Sequence, residues 1–158
     1  MGSSRLPGKV LLDIGGRPML EWVVRRGALA AKVDDVVVAT TEDASDDPIA
    51  RWCAENKISC YRGAVFDVLD RFYQAAFMTG SDMVVRVTAD CPLIDPQVID
   101  DVITLFEKTG ADFAANRLPP PWHRTFPIGL DVEVVSFSQL ARAWREAKQI
   151  GRASCRER

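Results

Sequence analysis

Eight residues near the start of the chain, Gly2-Ser3-Ser4-Arg5-Leu6-Pro7-Gly8-Lys9, combine two glycines, two hydroxyls and two fixed cations ahead of an apolar run. Glycine lets a backbone approach a ligand closely, backbone N–H groups and hydroxyls donate to oxyanions, and Arg and Lys neutralise phosphate charge. That is the chemistry of a triphosphate loop, with Gly2, Ser3, Ser4, Arg5, Gly8 and Lys9 as its nucleotide-binding candidates. Arg5 and Lys9 are the catalytic candidates among them. The spacing is not that of a Walker A loop, which needs Gly where Ser3 stands and Ser or Thr where Val10 stands. Nor is it the G-x-G-x-x-G of a dinucleotide fold. The competing reading is a solvated Gly/Ser-rich terminus.

Asp90 is the leading metal-ligand candidate and the third catalytic one. It follows Val84-Val85-Arg86-Val87-Thr88-Ala89, so it falls at the carboxyl end of a strand, where open α/β sheets place their ligands. Mg²⁺ keeps several waters and takes one or two carboxylates plus phosphate oxygens, so a single Asp at such a tip is chemically adequate. A turn residue capping its own backbone is the alternative. Asp95, before Pro96, is explained as a helix cap without any function. Arg86, inside an otherwise apolar strand, calls for a partner carboxylate or a ligand. The single histidine, His123, sits in a Pro-rich stretch, which excludes a His-based triad.

These residues need a scaffold, and the pattern supplies one of alternating helices and strands with short connections. Leu20, Val23, Val24, Gly27 or Ala28, and Ala31 fall on one helical face, with Gly27 costing that helix about 1 kcal/mol relative to Ala. Val36 to Thr40 is a β-branched run that fits a strand buried on both faces. Asp47-Pro48 reads as a cap followed by Pro at the first helical position, with Ile49, Trp52 and Cys53 inward. A short strand near Ser59–Arg62 precedes a helix capped at Asp67, carrying Leu69, Phe72, Tyr73 and Ala76 and ending at Gly80. Met83 to Thr88 reads as the central strand. The next helix, capped by Asp95, buries Val98, Ile99, Val102, Ile103 and Phe106 and stops at Gly110. Leu118 to Trp122, with three prolines, forms a loop. Leu130 to Val134 alternates strictly, so Asp131 and Glu133 share one face of a half-buried strand. A final helix carries Leu140, Trp144 and Ala147.

The bulk properties narrow the partners. With 158 residues, 47% of them hydrophobic, the chain can bury one substantial core. A net charge of −2 argues against a nucleic-acid backbone or an anionic membrane as the main partner. No apolar run approaches the roughly 20 residues of a membrane span. Cys53, Cys60 and Cys91 form no Cys-x-x-Cys pair, which suits reduced thiols in a cytoplasmic protein.

The run from Gly2 through Asp13-Ile14-Gly15-Gly16-Arg17-Pro18-Met19-Leu20 resembles the opening of the cytidylyltransferases that activate sugar acids. These include CMP-Kdo synthetases and acylneuraminate cytidylyltransferases, and the resemblance is closest to the spore coat polysaccharide biosynthesis branch. Ala89-Asp90-Cys91-Pro92-Leu93-Ile94-Asp95 resembles the family's Gly-Asp-x-Pro-Leu-Ile segment, whose Asp binds Mg²⁺. Phe126 to Val134 is similar to its Phe-Pro-x-Gly-x-Asp-Val-Glu-Val segment, which implies sugar-binding roles for Asp131 and Glu133. Where Ile128 stands, that branch often has Arg. Thr40 and Thr41 match where the family contacts cytosine and ribose. Arg62-Gly63 with Asp67-Val68-Leu69-Asp70-Arg71 resembles a further signature of the same branch and implies that Arg62 faces the nucleotide. A solvated acidic strand face for Asp131 and Glu133, and a helix-surface charge for Arg71, are the plainer alternatives.

The resemblance implies a three-layer α/β nucleotidyltransferase fold, of the nucleotide-diphospho-sugar transferase type, with a mixed and mainly parallel sheet. It implies transfer of CMP from CTP to a sugar acid, with Mg²⁺ as cofactor, in polysaccharide or cell-envelope glycan synthesis. A homodimer through a C-terminal arm would follow the related synthetases. In the family a first strand ending near an Arg precedes the loop, so the expectation is a domain over residues 1–149 lacking that strand, and an inactive fragment. Residues 150–158 can be encoded by a stretch resembling a sequencing-library adapter, which marks them as a non-biological tail. Without it the net charge becomes −4. Rival readings are a uridylyltransferase or glycosyltransferase on the same architecture, and a non-catalytic sugar-nucleotide binding module.

Overall fold

Side-chain caps and left-handed glycines delimit several of the helices. The computed structural model describes residues 6–117 and 125–148. Among these, the chain forms helices α1 (Met19–Gly27), α2 (Asp47–Glu55), α3 (Val68–Thr79), α4 (Pro96–Thr109) and α5 (Phe137–Glu146). The strands are β1 (Val37–Thr41), β2 (Ser59–Gly63), β3 (Met83–Arg86), β4 (Phe113–Ala115) and β5 (Glu133–Ser136). Asp67 caps α3 by accepting from the Asp70 N–H at 2.9 Å, and Asp95 caps α4 by accepting from the Gln97 N–H at 2.9 Å. Gly80 and Gly110 end the same two helices at φ 65° and 60°, a left-handed turn that glycine takes without a Cβ penalty.

The chain divides into two compact units, interleaved along the sequence. One contains the residues up to Val36 together with Val85–Val135. Its core is α4, which buries Ile99, Val102 and Ile103, with α1 contributing Leu20 and Val24. Each such side chain stabilises the fold by about 1.5–3 kcal/mol when fully buried. Asp100 accepts from the Ala31 and Lys32 N–H groups at 2.9 Å each, and so ties α4 to the chain leaving α1. Gly27 closes α1, and a Cβ there would meet Val36 at an ordinary 3.6 Å, so close packing does not demand the glycine.

The other unit contains Val37–Val84 and the residues from Ser136 onward. Here β1 and β2 pair in parallel, Val37 opposite Ser59 through Thr41 opposite Gly63. Helix α3 stacks on α5: Tyr73 lies 4.3 Å from the Trp144 ring centroid at 12°, and Trp144 Nε1 donates to Asp70 at 2.7 Å.

The sheets are mixed, as expected for the α/β class. β1 and β2 form a parallel pair, while a three-stranded sheet runs in the order β3–β5–β4 with β4 and β5 antiparallel. Several details differ from the sequence reading, among them the last strand, which covers Glu133–Ser136 and not Leu130–Val134 and so leaves Asp131 ahead of it. Among the described residues β3 is the end strand of its three and β5 takes the middle, in keeping with the fully buried Val134 on β5 while β3 ends on the charged Arg86. β1 is half-buried apart from Thr40, not buried on both faces, since β2 is its one paired neighbour among the described residues. Helix α2 begins at Asp47 and places Asp46 at the cap position, one residue earlier than the sequence reading had it.

Candidate active site

Lys9 enters through a backbone device. Gly8 sits at φ 70°, in the left-handed region, and turns the chain into a 3₁₀ turn over Lys9–Leu11, with the Leu11 N–H donating to the Gly8 carbonyl at 2.9 Å. Gly15 and Gly16, both at positive φ (65° and 89°), then close a tight turn whose Gly16 N–H reaches Asp13, before α1 begins. Gly2, Ser3, Ser4 and Arg5 lie outside the described residues.

Asp90 is carried by the turn that follows β3. Beneath it, Cys91 and Ile94 are buried, and the Cys91 N–H donates to the Thr88 carbonyl at 3.1 Å. The Arg26 guanidinium clamps the Ile94 carbonyl from α1. From this anchored turn the Asp90 carboxylate meets Lys9: Nζ donates to Oδ2 at 2.6 Å, across 81 residues of sequence. Both side chains are partly exposed, at 27% and 32%. Two residues selected separately for phosphate and metal chemistry are thus joined in one ion pair of one unit.

The same unit gathers a second set of charges. Arg86 Nη1 donates to Glu133 Oε2 at 2.6 Å, which supplies the partner carboxylate that an arginine in an apolar strand required. Ala115 stands opposite Glu133 on β4, a small neighbour that leaves the glutamate to β3. Two residues before Glu133, Asp131 is buried at 8% exposure, with Arg117 Nη1 3.8 Å away. A solvated acidic face therefore does not describe Asp131. Asn116 fixes the approach to β5 by donating to the Leu130 carbonyl at 2.6 Å and accepting from the Val132 N–H at 2.9 Å. Asn116 and Arg117 escaped the sequence reading. Their signal was register: an antiparallel pairing of residues 115 and 133 sets 117 against 131.

In the other unit, Thr40 and Thr41 turn to Asp46. Thr40 Oγ1 donates to Asp46 Oδ2 at 2.8 Å, Thr41 Oγ1 at 2.5 Å and the Thr41 N–H at 3.1 Å. Asp46 is 3% exposed. Burial works to raise its pKa, but hydrogen bonds, those from Thr41 and Thr40 among them, outweigh burial and hold it at about 2. Asp46 is a second residue that the sequence reading missed. Arg62 lies close by, donating to the Thr41 carbonyl at 2.9 Å and the Asp43 carbonyl at 3.1 Å and pairing with Asp47 at 2.7 Å. Arg71 donates to the carbonyls of Ala64 and Val65, and its stem packs so closely on Gly63 that a Cβ there would sit 3.0 Å away.

Among the described residues no group of three or more His, Cys, Asp or Glu side chains could hold a metal. A metal seated at Asp90 would therefore take most of its ligands from phosphate and water, the habit of Mg²⁺. The partly exposed carboxylate, already holding a cation in the form of the Lys9 ammonium, fits that kind of site.

Residues 1–154 match the cytidylyltransferase family. The chain belongs to that family. Similar proteins include an uncharacterised protein of Methanocaldococcus jannaschii, 36% identical over 148 residues, a match covering 94% of this cytidylyltransferase chain and 58% of that protein. The spore coat polysaccharide biosynthesis protein SpsF of Bacillus subtilis is 31% identical over 144 residues, with 89% and 57% covered. An 8-amino-3,8-dideoxy-manno-octulosonate cytidylyltransferase of Shewanella piezotolerans is 36% identical over 120 residues, with 74% and 48% covered. The chain thus spans about half the length of these relatives.

Among solved structures, a cytidylyltransferase from Leptospira borgpetersenii superposes with a TM-score of 0.85 at 33% identity, over 97% of this chain and 64% of that one. A CMP:2-keto-3-deoxy-manno-octonic acid synthetase complexed with CTP gives a TM-score of 0.68 at 18% identity, over 95% and 76%, and shares the fold. The α/β nucleotidyltransferase fold implied by the motifs is the one observed.

Proposed function

We propose that the whole protein transfers CMP from CTP to a sugar acid and releases pyrophosphate, in polysaccharide or cell-envelope glycan synthesis. The observation that carries this reading is the Lys9–Asp90 pair: a loop cation and a strand-tip carboxylate, 81 residues apart, brought to 2.6 Å in a chain of the cytidylyltransferase family. In the reaction an acceptor hydroxyl attacks the α-phosphorus, the new P–O bond forms in line, and the bond to the pyrophosphate oxygen breaks. Lys9 and Arg5 neutralise charge on the triphosphate, and the Gly2, Ser3, Ser4 and Gly8 backbone donates to its oxygens. Asp90 would hold a Mg²⁺, which would supply screening of the phosphate charge.

On the acceptor side, Glu133, paired with Arg86, and Asp131, with Arg117 3.8 Å away, are the carboxylates that accept from sugar hydroxyls in this reading. Thr40, Thr41 and Arg62 serve the nucleoside, with Asp46 setting the threonine rotamers. No described helix is long and apolar enough to cross a membrane. Three described cysteines are free thiols, in keeping with a cytoplasmic site of action. Residues 1–158 alone, spanning about half of the relatives' length, are expected to bind CTP weakly and to turn nothing over.

The test is thermal stabilisation of the whole protein by a nucleotide panel with Mg²⁺, followed by pyrophosphate release with candidate sugar acids. Selective stabilisation by CTP supports the reading. Stabilisation by UDP-sugars instead would establish the uridylyltransferase or glycosyltransferase alternative.

A further inference from the structure

Lys9 reaches Asp90 with a flexible four-carbon stem and a compact ammonium, and it lands on Oδ2, one of the two oxygens a metal would use. A divalent cation arriving alone at this carboxylate would set three positive charges against one negative in a partly desolvated place. A polyphosphate changes that balance, because its oxygens can take the ammonium and share the metal in the same event. An arginine fork would bind the carboxylate in a bidentate grip and exchange less readily.

We propose that Lys9 is the specificity-determining residue of the Asp90 site: it keeps the carboxylate from free divalent metal and yields it to a metal–polyphosphate complex that takes up the displaced ammonium. This rests on the nucleotide-transfer reading given above. It assigns Lys9 a task before chemistry in addition to its task during it, and it orders the two ligands, with metal entering together with nucleotide.

The experiment is Mn²⁺ binding to the whole protein followed by electron paramagnetic resonance, with no turnover required. Wild type, Lys9→Met, and Lys9→Met combined with Asp90→Asn are titrated with Mn²⁺ alone, then with Mn²⁺ and a CTP analogue carrying a methylene bridge between the α and β phosphorus atoms. The expected result is weak binding of Mn²⁺ alone to wild type and at least about tenfold tighter binding to Lys9→Met, removed again by Asp90→Asn. The analogue should tighten Mn²⁺ binding by a larger factor in wild type than in Lys9→Met, where no ammonium has to be displaced. Equal Mn²⁺ affinity in wild type and Lys9→Met would overturn the proposal, as would tight binding of Mn²⁺ alone to wild type. If Lys9→Met gains Mn²⁺ affinity but the analogue binds no form of the protein, the nucleotide reading fails and the exchange fails with it, whereas equal affinities with normal analogue binding would sink the exchange alone.

Discussion

Asp90 and Asp46 are both aspartates held by residues from nucleotide-like segments, yet they are built for opposite ends. Asp90 takes a cation from 81 residues away and stays about a third exposed. Asp46 takes two hydroxyls and an N–H from five and six residues away and is 3% exposed. A half-exposed ion pair contributes little to stability and can be exchanged for another ligand. A buried carboxylate that accepts from two hydroxyls and an N–H cannot leave without stranding them, so it acts as a fixed strut under β1. Burial, not charge or residue type, separates the exchangeable acid from the structural one.

The largest expected effect sharpens that contrast at the exchangeable end. In the whole protein, Asp90→Asn should lower CTP-dependent pyrophosphate release by roughly a hundredfold to a thousandfold, as removal of one oriented electrostatic group does. The same change should alter unfolding stability by less than about 1 kcal/mol, since the pair is partly solvated. Near-normal turnover in this variant would make Asp90 a turn residue and erase the distinction.

Asp46→Ala should do the reverse. Loss of the buried acceptor leaves both threonine hydroxyls and the Thr41 N–H without it, and stability measured by urea unfolding should fall by about 2–3 kcal/mol. The pH dependence has a definite sign. Because the folded pKa of Asp46 is depressed to about 2, its contribution is present above the ordinary carboxylate pKa and is lost as pH falls through about 2. Wild type and Asp46→Ala should therefore converge in stability on acidification. If they instead stay parallel down to pH 2, the ionised carboxylate is not what the threonines stabilise.

Local chemistry explains which of these features were legible in the sequence. Caps such as Asp67 and Asp95, and stops such as Gly80 and Gly110, are decided within one turn of chain, and they stand where the sequence put them. The α4 stripe of Ile99, Val102 and Ile103 is equally local, set by helical period. Lys9 and Asp90 were each readable as chemistry, but their meeting depends on the fold bringing residues 9 and 90 together. Asp46 was hidden by its neighbour: with Asp46-Asp47-Pro48 in the sequence, the cap signal fits either aspartate, and hydrogen bonds to β1 decide between them. Arg117 and the end position of β3 depend on register and strand order, which no window of a few residues contains.

Lys9→Ala tests the exchangeable pair from its other side. The variant should weaken CTP binding or turnover by about 1.5–3 kcal/mol, the worth of a charge-assisted phosphate contact, and leave acceptor affinity nearly unchanged. Paired saturation curves, one for each substrate, separate the two. A defect confined to the acceptor curve would move Lys9 away from the triphosphate and leave its pairing with Asp90 as a structural bridge.

The smallest effect comes from salt, and it compares the two aspartates directly. Surface ion pairs are screened as the Debye length shrinks from about 10 Å at 0.1 M to about 3 Å at 1 M, while buried hydrogen bonds are screened far less. The stability difference between wild type and Asp90→Asn, under about 1 kcal/mol at low salt, should shrink toward zero as ionic strength rises through that range. The difference between wild type and Asp46→Ala should change far less over the same range, because the carboxylate is 3% exposed and accepts from two buried or part-buried hydroxyls and a backbone N–H. Urea titrations of the three proteins at low and high salt decide the matter. A salt-insensitive Asp90→Asn difference would mean that Lys9 and Asp90 are locked as firmly as Asp46 and its threonines, and a locked pair could not pass its carboxylate to an incoming metal.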